Sequence, residues 1–112
     1  MTVSTRVLDA SLGTPAAGVS VTLSRLADGW LDIESAVTGA DGRHRFVADA
    51  PAGIYCLSFA TGAYFRGRSV ATFYPEVTIT FTIGQPADGA SDGHFHLPLL
   101  LSPFGYSTYR DA

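Results

Sequence analysis

Two stretches of the chain alternate apolar and polar residues without a break. One is Val19-Ser20-Val21-Thr22-Leu23-Ser24-Arg25-Leu26; the other is Glu76-Val77-Thr78-Ile79-Thr80-Phe81-Thr82-Ile83. A period of two sends successive side chains to opposite faces of an extended backbone, so each stretch predicts a half-buried β-strand. Shorter pieces of the same character are Ser4–Asp9, Trp30–Val37, Arg43–Phe46, Ile54–Phe59, His94–Leu101 and Tyr106–Tyr109. Turn residues separate them. Asp28-Gly29 predicts a tight hairpin, Thr38-Gly39-Ala40-Asp41-Gly42 a second turn, and Asp9–Gly18 reads as a loop. Thr61–Arg68 lacks the period and predicts one short helix, held to about two turns by its flanking glycines. Pro98 has no N–H to give a ladder, so it predicts an edge strand or a bulge. Gly84–Gly93 is a polar loop longer than the usual ~2–5 residues of a hairpin. Eight short strands with frequent turns predict an all-β fold, an antiparallel sandwich. No repeat, linker or low-complexity tract divides the chain, so residues 1–112 read as a single domain.

Composition narrows the function classes. The 112 residues are 46% hydrophobic and only 15% charged, which excludes a disordered chain. Seven basic against ten acidic residues give a net charge of -3, the wrong sign for non-specific nucleic-acid binding. The opening Met1-Thr2-Val3-Ser4-Thr5-Arg6 lacks the apolar stretch of a secretory leader. The longest apolar run, Leu97–Leu101, contains Pro98 and falls far short of a membrane span. A cytoplasmic protein with neither nucleic-acid nor membrane partner is the expectation. Mean hydropathy is positive, high for a small monomer, and predicts that other subunits cover some apolar surface. The single cysteine, Cys56, cannot form an internal disulfide, and its place in an alternating strand reads as a structural thiol.

The phosphate-loop, dinucleotide-loop, serine-elbow and CxxC patterns are all missing. His94 and His96, two apart in a strand, leave the same sheet face, while Phe95, Leu97 and Leu99 leave the other. Spacing alone leaves three readings open: a general acid/base, two metal ligands, or ordinary polar residues on a solvated face. A metal site needs a further ligand, for which only His44 and carboxylates remain, and no metal is expected. Arg43 follows the Asp41-Gly42 turn, where a guanidinium fork suits a carbonyl or carboxylate, or simply faces solvent. The C-terminal Tyr106-Ser107-Thr108-Tyr109-Arg110-Asp111-Ala112 stays aromatic and polar to its end, as a needed strand or a site would require.

The run His96-Leu97-Pro98-Leu99-Leu100-Leu101-Ser102-Pro103-Phe104-Gly105-Tyr106-Ser107-Thr108-Tyr109-Arg110 closely resembles the C-terminal signature of the 5-hydroxyisourate hydrolases, the transthyretin-related enzymes of urate breakdown. Val7-Leu8-Asp9 with Gly13–Val19, Thr38–Arg43, Tyr64-Phe65 and Phe73–Val77 are similar to further segments of that family, so the resemblance spans essentially the whole chain. It implies a transthyretin-like sandwich of two four-stranded sheets with one short helix. It implies a homotetramer, a dimer of dimers, with active sites in the groove between dimers. The implied reaction adds water to a ring amide carbonyl of 5-hydroxyisourate and yields a ureido-imidazoline carboxylate, with no cofactor.

Carried over residue by residue, the resemblance makes His96 and Arg43 catalytic, and Arg6, Tyr109, Arg110 and Ala112 substrate-binding. Two departures stand out. The family opens Ser-Thr-His where this chain has Ser4-Thr5-Arg6, and closes Tyr-Arg-Gly-Ser where this chain has Tyr109-Arg110-Asp111-Ala112. Arginine stays protonated at neutral pH and cannot act as a base. Arg6 is therefore read as a fixed positive charge for an anion or a developing oxyanion, with Asp111 as its expected partner. Three readings follow: a 5-hydroxyisourate hydrolase with an altered site, an enzyme of the same scaffold acting on another small cyclic amide or imide, and a non-catalytic small-molecule binder such as transthyretin. Transthyretin lacks the enzyme's terminal motif; His96, Arg43 and Tyr109-Arg110 are retained here.

Overall fold

A computed structural model describes residues 1–85 and 93–111. Most of the Gly84–Gly93 loop, and with it the expectation about its length, lies outside the described residues, as does Ala112. The elements in chain order are β1 (Thr2–Asp9), β2 (Thr14–Pro15), β3 (Ser20–Ala27), β4 (Gly29–Val37), β5 (Arg43–Arg45), β6 (Gly53–Phe59), α1 (Thr61–Gly67), β7 (Val77–Ile83), β8 (His94–Ser102) and β9 (Gly105–Thr108). Every predicted strand is present, and the expected helix ends one residue early. β2 is the addition: two residues of the predicted loop pair with the end of β1. Among the described residues no helix is long and apolar enough to cross a membrane.

The strands form two sheets. One runs β4-β3-β6-β7; in the other, β8 lies between β1 and β9, and β2 and β5 share the far edge of β1. The inward parity of each strand supplies the core: Val3 and Val7 from β1, Val21 and Leu23 from β3, Tyr55, Leu57 and Phe59 from β6, Leu97, Leu99 and Leu101 from β8. Full burial of a side chain such as Leu99 contributes about 1.5–3 kcal/mol. The outward parity of β6 carries Ser58 and Cys56, whose Sγ lies 3.5 Å from Ser58 Oγ.

Two expectations are corrected. The sandwich is not wholly antiparallel, because β1 and β8 pair in parallel from Thr2↔His94 to Asp9↔Leu101. Alternation fixes which face a residue takes but not the direction of a partner some 90 residues away. β8 is also not an edge strand, despite Pro98. The Pro98 carbonyl accepts from the Thr108 hydroxyl at 2.7 Å, so its backbone polar edge faces β9. The β8/β9 ladder stops at Leu99↔Thr108 and resumes only as the His96↔Asp111 bridge. The missing N–H falls in that gap, where no ladder bond is needed.

The helix is docked by close approach. The Gly62 N–H donates to the Pro75 carbonyl at 2.9 Å, and a Cβ at this position would lie 2.6 Å from that oxygen. Just beyond α1, Arg68 Nη1 lies 2.7 Å from the fully buried carboxylate of Asp9, which also accepts from the Tyr64 hydroxyl at 2.8 Å. Burial pushes the Asp9 carboxyl up, but the Ser11 and Tyr64 hydrogen bonds and the Arg68 charge outweigh it and hold it below its ordinary value. Its contribution to stability is thus present above that value and lost as pH falls through the lowered one.

Candidate active site

Register decides what shares a face. Across β1, Arg6 sits opposite Arg43 and Ser4 opposite Arg45 on β5; on the other side, Thr2 pairs with His94, Ser4 with His96 and Arg6 with Pro98 on β8. Cross-strand partners point the same way. Val3 and Val7 are buried on the core side, so Thr2, Ser4 and Arg6, Arg43 and Arg45, and His94 and His96 all project from the outer face. Asp111 joins them, because its N–H donates to the His96 carbonyl at 3.0 Å and the two residues form a bridge.

Gly42 makes the close approach of β5 possible. It has φ 75°, and a Cβ there would lie 2.3 Å from the Val7 carbonyl. Its own carbonyl accepts from the Val7 N–H at 2.8 Å. The Asp41 carboxylate takes the Arg43 N–H at 3.0 Å and closes the turn. Asp-Gly before Arg43 therefore sets the arginine against β1.

Most of these outer-face residues border a pocket of about 510 Å³, lined by Ser4, Thr5, Arg43, His44, Arg45, His94, His96 and Asp111. Thr5 and His44 have the opposite parity and their side chains serve the sandwich. Thr5 donates to the Leu97 carbonyl at 2.7 Å, and His44 Nε2 lies 3.2 Å from Glu34 of β4. His44 is thus removed as a third ligand beside His94 and His96. Among the described residues no group of three His, Cys, Asp or Glu is placed to hold a metal ion.

His96 is the half-buried imidazole of the pocket. Its Nδ1 lies 2.8 Å from Ser4 Oγ, and its Nε2 makes no hydrogen bond among the described residues. Burial, followed by the charges of Arg43, His94 and Arg6, pushes His96 below its ordinary value, against the opposing pull of Asp111. At neutral pH it is an uncharged imidazole, the form a general base requires. The pocket is strongly cationic. The ion pairs among the described residues are Met1–Asp49, His44–Glu34 and Arg68–Asp9, so no carboxylate of the described residues lies within 4 Å of Arg6, Arg43 or Arg45. Arg6 also keeps a buried Nε with no hydrogen-bond partner there.

Of the residues singled out by sequence, His96 and Arg43 line one pocket, and Arg6 lies beside them on the same face. The expected Arg6–Asp111 pair does not form; Asp111 acts on His96 instead. Tyr109 is exposed beyond the end of β9. Arg110 has the opposite parity to Asp111, and its guanidinium lies 4.5 Å from the centroid of the Phe95 ring, away from His96. Ala112 is outside the described residues. Sequence reasoning missed Ser4 and Arg45. Their parity was readable, but the strands they face were not.

The model of the HIUase/Transthyretin family matches residues 3–111. A 5-hydroxyisourate hydrolase of Salmonella typhimurium is 41% identical over 97% of this chain and 79% of its own length. The structure of Klebsiella pneumoniae 5-hydroxyisourate hydrolase superimposes with a TM-score of 0.86 at 43% identity, covering 100% of both chains. Sea bream transthyretin in complex with thyroxine superimposes with a TM-score of 0.87 at 34% identity, covering 98% of this chain and 94% of its own.

Proposed function

The chain belongs to the HIUase/Transthyretin family, and from that premise we propose that it hydrolyses 5-hydroxyisourate, a step of urate degradation. The observation that carries this reading is a half-buried His96, its Nε2 without a hydrogen bond among the described residues, in one pocket with Arg43. His96 takes a proton from water, and the water oxygen adds to the cyclic amide carbonyl carbon. Arg43 binds the carbonyl oxygen and steadies the oxyanion as it forms. The carbon–nitrogen bond then breaks, and the ring nitrogen takes the proton back from His96. Arg6 contributes a fixed positive charge at the pocket's edge. Tyr109, Arg110 and Ala112 complete the substrate-binding set. In the single chain Arg110 rests on Phe95, so its part in binding requires a groove shared with a second copy.

The second reading, an enzyme of this scaffold for another small cyclic amide or imide, is favoured by one observation. The buried Arg6 Nε, without a partner among the described residues, offers a donor on the pocket's face that a histidine would not place in the same way. Freshly generated 5-hydroxyisourate separates the two, its ultraviolet absorbance being followed against spontaneous decay. Wild type is expected to accelerate the loss, and no acceleration would overturn the hydrolase reading. Arg6→His is expected to raise activity on 5-hydroxyisourate, the more so with Asp111→Gly and Ala112→Ser. If the triple variant gains nothing, Arg6 is a tolerated substitution and the second reading loses its support.

The assembly we propose is a tetramer, a dimer of dimers. Among the described residues no strand pairs with the outer edge of β9, and Phe104 and Phe73 beside it are 71% and 73% exposed. Tyr74 links Phe73 and Tyr106 through edge-to-face contacts at 5.2 Å. An aromatic patch along an open strand edge is a surface that proteins cover. Light scattering is expected to give four times the chain mass at micromolar concentration; a monomer would remove the shared groove.

A further inference from the structure

The outer face holds more polar connection than the reaction as described uses. Thr2 Oγ1 lies 2.6 Å from His94 Nδ1, His94 Nε2 lies 2.9 Å from Ser4 Oγ, and Ser4 Oγ lies 2.8 Å from His96 Nδ1. Two imidazoles are therefore joined through one hydroxyl, and a second hydroxyl closes the far end. The chain runs from half-buried His96 to exposed His94 and ends beside solvent.

Ser4 has one hydroxyl proton, so it donates to only one of the two rings at a time. Two concerted orientations satisfy every contact. In the first, His96 Nδ1–H donates to Ser4, Ser4 donates to His94 Nε2, and His94 Nδ1–H donates to Thr2. His96 Nε2 then presents a lone pair to the pocket. In the second every donor is reversed, and His96 Nε2 carries a proton. The first is a base and the second an acid, in the same place.

We propose that Ser4 and His94 are positioning residues that set the tautomer of His96 and hold its displaced proton, so that His94 supplies the second imidazole from β8. This inference rests on the hydrolase reading for its kinetics but not for its structural test. The proton count closes. As water is deprotonated, His96 Nε2 gains a proton, its Nδ1 proton passes to Ser4 Oγ, and the Ser4 proton passes to His94 Nε2. His94 becomes an imidazolium while the adduct carries one negative charge beside Arg43. When the carbon–nitrogen bond breaks, His96 Nε2 protonates the leaving nitrogen. His94 returns its proton through Ser4 to His96 Nδ1, and the starting state is restored. The same parity that lifts both histidines out of the sheet puts Ser4 between them, by the registers Thr2↔His94 and Ser4↔His96.

Arg6 and Arg43 from β1 and β5, and Asp111 from the C-terminal segment, also face His96. Arg45 lies across from Ser4. The experiment must therefore separate the relay from the field of these charges. Nitrogen-15 NMR of the histidine rings, at a pH where His96 is neutral, reads the tautomer without substrate. Wild type is expected to keep a proton on His96 Nδ1, and Ser4→Ala to shift it to Nε2. In turnover of 5-hydroxyisourate, Ser4→Ala and His94→Gln are each expected to lower kcat by about 10²-fold with KM little changed. The double variant is expected to lose no more than either alone, because the two act as a unit. Ser4→Thr, which keeps the hydroxyl, is expected to restore most of the rate. His94 is exposed, so His94→Gln keeps the test open should Ser4→Ala fail to fold. An unchanged His96 tautomer in Ser4→Ala, or losses that simply add, would overturn the relay. A wild type inert toward 5-hydroxyisourate would overturn the hydrolase reading, while the NMR result would still decide the tautomer.

Discussion

His96→Ala is expected to lower kcat/KM for 5-hydroxyisourate by ~10²–10⁴-fold, the usual worth of a general acid/base. The loss falls on the chemical step because the imidazole both receives the water proton and returns it to the leaving nitrogen. A pH profile gives the sharper signature. Burial first, and then Arg43, His94 and Arg6, hold the wild-type imidazole below its ordinary value of 6.5, with Asp111 opposing them. The base form therefore survives below pH 6.5, and kcat/KM is expected to rise through the lowered value and be level at neutrality. His96→Ala should remove that acid limb along with the rate. His96 is only half-buried, so the variant should fold, which circular dichroism will check. A variant that keeps the wild-type rate, or the same acid limb, would make His96 structural.

How much of this was legible in the chain depends on the range of the interaction. Strand positions came from alternation over a few residues, which the β3 and β7 segments display almost perfectly. The shared face of His94 and His96 followed from a spacing of two. The helix was legible by its break in period, and its end by glycine. What lay beyond reach was set by contacts between distant segments. The parallel pairing of β1 with β8 joins Thr2 to His94, and nothing local to either strand encodes its direction. Ser4 was thus invisible as the neighbour of two histidines, although its parity with Arg6 was plain.

Pro98 misled for the same reason. Its missing donor argues against a central strand, yet the ladder on the β9 side has a gap at that position. The C-terminal motif was legible as a resemblance, but only parity shows that Asp111 rather than Arg110 turns toward His96. The departure at Arg6 was legible too. Its physical content, a buried guanidinium nitrogen without a partner among the described residues, needed the packing of β1 between β5 and β8.

Arg43→Gln is expected to lower kcat/KM by ~10²–10³-fold, the cost of removing one well-placed oxyanion donor. It should also move the acid limb to higher pH. The sign follows from the charges: a cation beside an imidazole disfavours the imidazolium, so removing Arg43 lets His96 protonate more readily and raises its pKa. The variant should therefore lose more activity at pH 6 than at pH 8, relative to wild type. Arg43→Lys keeps the charge but not the planar fork, so it should leave the limb in place and still slow the reaction. Asp111→Asn makes the opposite shift, because among the described groups acting on His96 it is Asp111 that favours the charged form. Opposite movements of the limb in Arg43→Gln and Asp111→Asn would place both groups in the field of the base. A limb unmoved in both, with only the rate reduced, would confine Arg43 to substrate binding and remove its influence on His96.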